Sequence, residues 1–582
     1  MSLALTGLGV TSGIAIGRVH RLTPGELSIP EYHLNADAIE AEIERLHRAL
    51  SRAESFLKRL LERLEAEAGE TARELLEAHR LILRDPLLVA ATGERIRGER
   101  INAEWALVLQ SEELQSQFRQ MSNEYLALRR EDLEQAVGLV LRELADQPAA
   151  RIGTQVPHEL GSTIVVAPEL GPAEMIVLAQ RKVAGLITEH GGPWSHAAIL
   201  ARSLEIPMLV GVHHALELLT EDERIILDGH YGAVLTSCDD ALLNHYRDKR
   251  EAGLRRRLDL RRYLGRPSRT IDGCSFSLFG NADLTPEFER CREAGVEGIG
   301  LMRTEYLYLD DALPDEDTQY RAYRAAVEAM QGRPITIRTL DAGGDKLPTV
   351  LAFAQGPNPA LGLRGLRLSL ALGDLFRQQL RAILRASVHG PVEILLPMLT
   401  SVDEVRQVRA LIAECRESLR ADGLQIDPEL PLGGMIETPA AALIAEHLAE
   451  ELDFFSIGTN DLIQYVLAID RQDELVNYLY DPTHRAVLML LRQIQQAGAA
   501  RNIAVTVCGE LAGSERTARL LLGLGLTRLS MPPAALPAVK RSLVEADAEY
   551  CRRTVLDYLD QRGPIGRGEA LLAALNEPAA VS

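Results

Sequence analysis

Eight short strand-like runs recur between residues 276 and 531, with helical segments between them: FSLFGN, GIGLMR, ITIRTL, EILLPM, LGGMIE, DFFSIG, AVTVCG and LTRLSM. Runs of this length suit strands buried on both faces of a parallel sheet. Eight strand-helix alternations over roughly 300 residues are what a (β/α)8 barrel requires, and a doubly wound sheet rarely needs so many. Such a barrel carries its functional residues at the carboxyl ends of its strands. Those ends here hold Asn281, Arg303, Arg338, Glu437, Asn460, Asp461 and Cys508, cations and carboxylates that a packed core would not gather.

The chain has 582 residues, which predicts two to four domains. The opening segment and residues 155–235 share short Val, Ile and Leu runs punctuated by glycine, the texture of an α/β domain. Between them, residues 36–147 are poor in glycine and rich in Ala, Glu, Leu and Arg. Ile39, Ile43, Leu46 and Leu50 stand at helical spacing, so this part reads as a helical bundle inserted into the α/β domain. Residues 239–265 read as a charged, solvated linker helix ending at glycine and proline.

A formal charge of -20 argues against broad nucleic-acid binding and favours partners with basic patches. The six cysteines include no CxxC pair, so neither a zinc site nor a disulfide framework is expected. The first residues lack the layout of a signal peptide and no apolar run has the length of a membrane span, which predicts a cytoplasmic protein.

Arg303 and Arg338 would present forked guanidinium donors to one ligand, a geometry suited to phosphate or carboxylate oxygens. Lys346, in DAGGDKLP, follows paired glycines that let backbone N–H groups approach an anion, and Arg364 and Arg367 lie further on. Glu437 and Asp461 are hard oxygen donors. With substrate oxygens and water they suit Mg2+, and a general acid and base pair is the other reading. Cys508, beside Gly509 and Glu510, is either a small buried hydrophobe or a proton donor at the barrel mouth. In the other domain His196 precedes AAILARSLEIP, which reads as a helix start whose N–H groups favour a phosphoryl group received by the imidazole. His190, in the same stretch, is a second candidate.

The stretches GGPWSHAAILARSLEIPMLVG and DFFSIGTNDLIQYVLAIDR carry a resemblance that runs along essentially the whole chain, supported in order by GIGLMRTEYLYLD, TIRTLDAGGDK, NPALGLRGLR, MIETPAAA and CGELAG. The chain resembles Enzyme I of the bacterial phosphoenolpyruvate:sugar phosphotransferase system. The first stretch is shared with pyruvate phosphate dikinase and phosphoenolpyruvate synthase; the second is specific.

The resemblance implies a swivelling phosphohistidine α/β domain at 1–30 and 150–235, and an inserted helical domain at 31–149 that docks the phosphocarrier protein HPr. A linker helix at 236–266 then leads to a TIM barrel at 267–570 that binds phosphoenolpyruvate and dimerises. It also implies that His196 is phosphorylated, that Arg303, Arg338 and Lys346 hold the phosphate, and that Glu437 and Asp461 bind Mg2+. Asn460, Arg364 and Arg471 would help hold the substrate, mainly around its carboxylate, with Asp461 also at the substrate. Cys508 would protonate the departing enolate.

Two departures from the family pattern stand out. Trp194 takes the place of a small hydroxyl residue two before the histidine, and the loop after Lys346 is shortened. The alternatives are a dikinase- or synthase-like enzyme, for which no nucleotide-binding signature is found, and the nitrogen-regulatory branch of the family, whose additional amino-terminal sensory domain is not expected here. A barrel that only senses phosphoenolpyruvate is the non-catalytic alternative.

Overall fold

The computed structural model describes all but residues 1–3, 12, 23–28, 64–69, 121–123, 146–159, 193–194, 205, 284, 309–312, 343–357, 428–429, 471–475, 561–567 and 577–582. The chain divides into two compact units, Met1–Arg255 and Arg256–Ser582.

In the first unit, strands β1 (Ala4–Thr6), β2 (Leu8–Gly9) and β3 (Ile14–Arg21) come from the opening segment. Strands β4 (Thr163–Ala167), β5 (Gly185–Thr188), β6 (Met208–Val210), β7 (Arg224–Asp228) and β8 (Ala233–Leu235) come from the later one. They form one sheet in the order β1-β8-β7-β3-β4-β5-β6-β2. The chain leaves the sheet after β3 and returns as β4, which pairs parallel to β3 with Arg18 opposite Thr163. Every residue of β4 and β5 is buried, which is why both read as continuous apolar runs.

Alternation along β4 decides which core each residue joins. Ile164 and Val166 pack with Val212, Leu216 and Leu219. Val165 and Ala167 share a core with Leu46, Leu57 and Val140 of the intervening helices. Helices Ile39–Arg63 and Glu124–Leu144 thus bury their apolar stripes in a core that continues onto one face of the sheet. A hydrogen-bonded cluster adds direction to this packing: Arg45 donates to Glu42 at 2.7 Å and also to Glu104, which accepts from Asn102 at 2.9 Å.

The second unit is a closed parallel barrel of β9 (Ser277–Asn281), β10 (Ile299–Met302), β11 (Ile335–Arg338), β12 (Val392–Leu396), β13 (Leu432–Ile436), β14 (Phe454–Ile457), β15 (Ala504–Val507) and β16 (Arg528–Met531). Closure is made by β16 on β9, with Leu529 opposite Leu278. Each strand falls on one of the eight strand-like runs read from the sequence. Inside the barrel Leu301, Leu395, Met435, Phe454 and Cys508 pack together. A Cβ at Gly433 would lie 2.2 Å from the Phe454 ring, so β13 needs glycine there for β14 to place its phenyl group inward.

Candidate active site

The carboxyl ends of the barrel strands bring most of the candidate residues into one mouth. Arg338 is the last residue of β11, and its buried guanidinium donates through Nη2 to Glu305 Oε1 at 2.8 Å, while Nη1 lies 3.2 Å from Asp341 Oδ2. Among the described residues its buried Nε has no hydrogen-bond partner, an unusual cost for a charged donor. Burial opposes its charge, but the fields of Glu305, Asp341 and Glu437 outweigh that and raise its pKa. Arg338 is therefore a fixed cation with donor capacity in reserve.

Arg364 stands immediately before helix Gly365–Ala371. It grips Asp341 through Nε and Nη2 at 3.2 and 2.9 Å and turns Nη1 towards Tyr465 Oη at 3.2 Å and Asp461 Oδ1 at 3.5 Å. Gly365 has φ +55° and sits where a Cβ would lie 2.7 Å from the Met398 side chain and 3.1 Å from Asp341 Oδ1, so only glycine lets Arg364 come this close. Arg367, the neighbouring candidate, donates instead to the Leu361 carbonyl at 3.3 Å.

Arg303 follows β10 and pairs with Asp283, Nη2 to Oδ2 at 2.6 Å, with about half of its side chain exposed. Asn460, in the first turn of helix Thr459–Leu467, exchanges hydrogen bonds with Glu510: Nδ2 donates to the carboxylate at 3.0 Å and Oδ1 accepts from the Glu510 N–H at 2.9 Å. Its second amide hydrogen is a further donor. Asn281 Nδ2 donates to the Cys508 carbonyl at 3.0 Å, and its Oδ1 accepts from Ser530 at 2.6 Å; the residue ties three strand ends together.

Glu437 follows β13 and is 1% exposed. Its Oε1 accepts the Met398 N–H at 2.7 Å, which Met398 presents by adopting φ +58°, a costly backbone for a side-chain-bearing residue. Burial, then the nearby charges of Asp461 and Asp341, raise the Glu437 pKa well above the usual carboxylate range; Arg338 and Arg364 pull it back only in part. Carboxylates held together against their own repulsion, with only oxygen donors, fit a hard dication such as Mg2+. Among the described residues no group of three or more His, Cys, Asp or Glu forms a cage that could hold a metal by itself. Glu437 and Asp461 would accordingly hold such an ion together with non-protein oxygens.

Cys508, just past β15, is 4% exposed, and its thiol donates to the Ile457 carbonyl at 3.4 Å. Burial pushes the thiol up to about 11, so it carries its proton at neutral pH and is able to give it away.

In the first unit His196 is the first residue of helix His196–Ser203, whose cap Ser195 accepts the Ala198 N–H at 3.4 Å. The preceding Gly191 takes φ +98°, turning the chain from β5 towards that helix. His190 is exposed on the intervening loop, with its N–H on the Pro168 carbonyl at 3.0 Å. Lys346, Arg471, Pro193 and Trp194 lie outside the described residues.

Sequence reasoning did not single out Glu305, Asp341 or Tyr465. Glu305 and Asp341 sit inside stretches that were noted, two residues after Arg303 and three after Arg338. A carboxylate so soon after a strand-end arginine was the available signal.

Comparison with known proteins agrees along the whole chain. Residues 259–548 match the PEP-binding domain of PEP-utilising enzymes, residues 160–232 their mobile domain and residues 6–129 their N-terminal domain. The chain is 41% identical to a phosphoenolpyruvate-protein phosphotransferase of Cupriavidus necator, covering 98% of this chain and 99% of that one. It is 36% identical to proteins of the same name from Priestia megaterium, covering 96% of this chain and 97% of that one, and from Bacillus subtilis, covering 95% and 96%. With strand-end arginines and carboxylates gathered in its barrel and full-length relatives of one name, the chain belongs to the phosphoenolpyruvate-protein phosphotransferases, enzymes of phosphoenolpyruvate-dependent phosphotransfer.

Proposed function

We propose that the enzyme transfers the phosphoryl group of phosphoenolpyruvate to its own His196 and from there to a histidine of the phosphocarrier protein HPr, releasing pyruvate, as the first step of sugar uptake by a phosphotransferase system. The observation that carries this reading is the pair of arginines at the barrel mouth, Arg338 and Arg364, beside the carboxylates Glu437 and Asp461. Two guanidiniums brought to one carboxylate at the mouth suit a substrate with an anion at each end.

In this reading Arg303, Arg338 and Lys346 bind the phosphoryl oxygens, while Arg364, Asn460, Asp461 and Arg471 orient the rest of the substrate, chiefly its carboxylate. Mg2+ held by Glu437 and Asp461 would supply charge neutralisation at the substrate oxygens. The imidazole of His196 attacks phosphorus in line, a nitrogen–phosphorus bond forms, and the bond from phosphorus to the enol oxygen breaks. The arginines disperse the charge that develops. Cys508, still protonated at neutral pH, gives its proton to the methylene carbon of the enolate, and pyruvate leaves.

His196 and the barrel mouth belong to different units, and the proposal includes a movement between the units during transfer, with the hinge in the connections around residues 235–265. The proposal further includes a homodimer formed through the barrel and a cytoplasmic setting. Among the described residues no helix is long and apolar enough to cross a membrane.

The test is incubation with Mg2+ and phosphate-labelled phosphoenolpyruvate, without ATP. The expected result is acid-labile, base-stable label that passes to HPr. The His196→Ala variant should take up none, and Cys508→Ala should keep its substrate affinity while losing most of its pyruvate-forming rate. Equal labelling of His196→Ala would remove the central claim.

A further inference from the structure

Asp341 is a carboxylate at the mouth with no role in the reaction as described, and its side chain is only 3% exposed. It accepts Nε and Nη2 of Arg364 at 3.2 and 2.9 Å, and its Oδ2 lies 3.2 Å from Nη1 of Arg338. Its own N–H donates to Glu305 Oε1 at 2.9 Å, the same oxygen that accepts Nη2 of Arg338 at 2.8 Å. Backbone and side chain of one residue thus close a ring with Glu305 and Arg338, and the same carboxylate holds Arg364 beside that ring by two further bonds. Bidentate pairing fixes the plane of a guanidinium as well as its distance, and an arginine held this way loses little freedom when a ligand arrives.

We propose that Asp341 is a positioning residue that sets the separation and relative orientation of Arg338 and Arg364, so that the mouth selects ligands bearing two anionic groups at the spacing of phosphoenolpyruvate. This rests on the functional reading above. Asp341 acts only through the two arginines. Arg338 has both Nη atoms committed to Glu305 and Asp341, while Arg364 spends its Nε and Nη2 edge on Asp341 and leaves Nη1 facing Asp461 and Tyr465. A carboxylate that merely balanced charge would not need to grip one arginine by two atoms and meet the other.

The experiment compares three probes on the full-length enzyme with Mg2+. Phosphoglycolate carries a phosphate and a carboxylate, and inorganic phosphate and pyruvate carry one anionic end each. In Asp341→Asn the inhibition constant of phosphoglycolate should rise roughly 30-fold, the scale on which outer partners of a site act. Those of phosphate and pyruvate should change less than about threefold, because each single anion still finds its own arginine.

Equal weakening of all three probes would show that Asp341 only maintains the fold. No change in any would show that the arginines hold their places without it; either outcome overturns the proposal. If Asp341→Asn does not fold, Glu305→Gln loosens the same ring from the Arg338 side and should show the same selectivity for phosphoglycolate over the single anions. A wild-type enzyme that binds none of the three probes fails the functional reading itself, which separates that failure from this one.

Discussion

At the end of β13 the carboxyl of Glu437 is buried beside Asp461 and Asp341, and its pKa is well above the ordinary carboxylate range because of that burial and those neighbours. A carboxyl whose folded-state pKa is raised binds its proton more readily folded than unfolded. Its stabilising contribution is therefore complete below the unfolded value, about 4.3, and is lost as pH rises through the folded one. As pH rises through that folded value without a cation, ionisation burdens the fold. Glu437→Gln keeps an oxygen for the Met398 N–H and removes that burden. The variant should be more stable than the parent in chelator, with the difference growing as pH rises. It should also lose the thermal shift that Mg2+ gives the parent and take up no phosphoryl label; calorimetry with and without Mg2+ reads the first two. The sequence showed Glu437 as a hard donor at a strand end. It did not show Met398 or the burial, because both depend on how β12 and β13 lie together.

At the scale of elements, two glycines with the same letter have opposite roles. Gly433 is in β13, where an added Cβ would sit 2.2 Å from the Phe454 ring on the neighbouring strand. Gly253 is in helix Asp240–Leu264, exposed, with nothing within 4 Å of the place a Cβ would take. Gly433→Ala should destabilise the barrel by about 1–3 kcal/mol or more through overpacking. Gly253→Ala should stabilise its helix by roughly 0.5–1 kcal/mol. Denaturant melts of the two variants against the parent check both signs. The strands themselves were legible from the sequence because each is a short, mostly apolar and largely buried stretch, and helical segments separate them. The pairing between Gly433 and Phe454 was not, since it joins residues of different strands through register.

For the whole molecule, the formal charge of -20 bears on encounter with partners. Transfer from the loaded enzyme to a partner with a basic patch should slow about tenfold or more between low and half-molar salt, as steered association does. Loading from phosphoenolpyruvate, which uses buried and partly buried charges, should change less than about threefold. Rapid-quench measurement of the two half-reactions separates them; equal salt dependence would count against a steered partner encounter.

What the amino-acid sequence determined by itself was the kind of fold and the chemical type of the site. Strand length, helical spacing and the residues at strand ends are local properties of the chain, and they announced a barrel with arginines, carboxylates and a cysteine at its mouth. What only the tertiary structure decided was which of those groups meet. Arg364 joins Arg338 through Asp341, Arg367 turns to a loop carbonyl, and Asn281 binds strand ends together. Those outcomes follow from distances between segments far apart in sequence and from the burial that gives each charge its environment. Neither quantity exists until the barrel has closed.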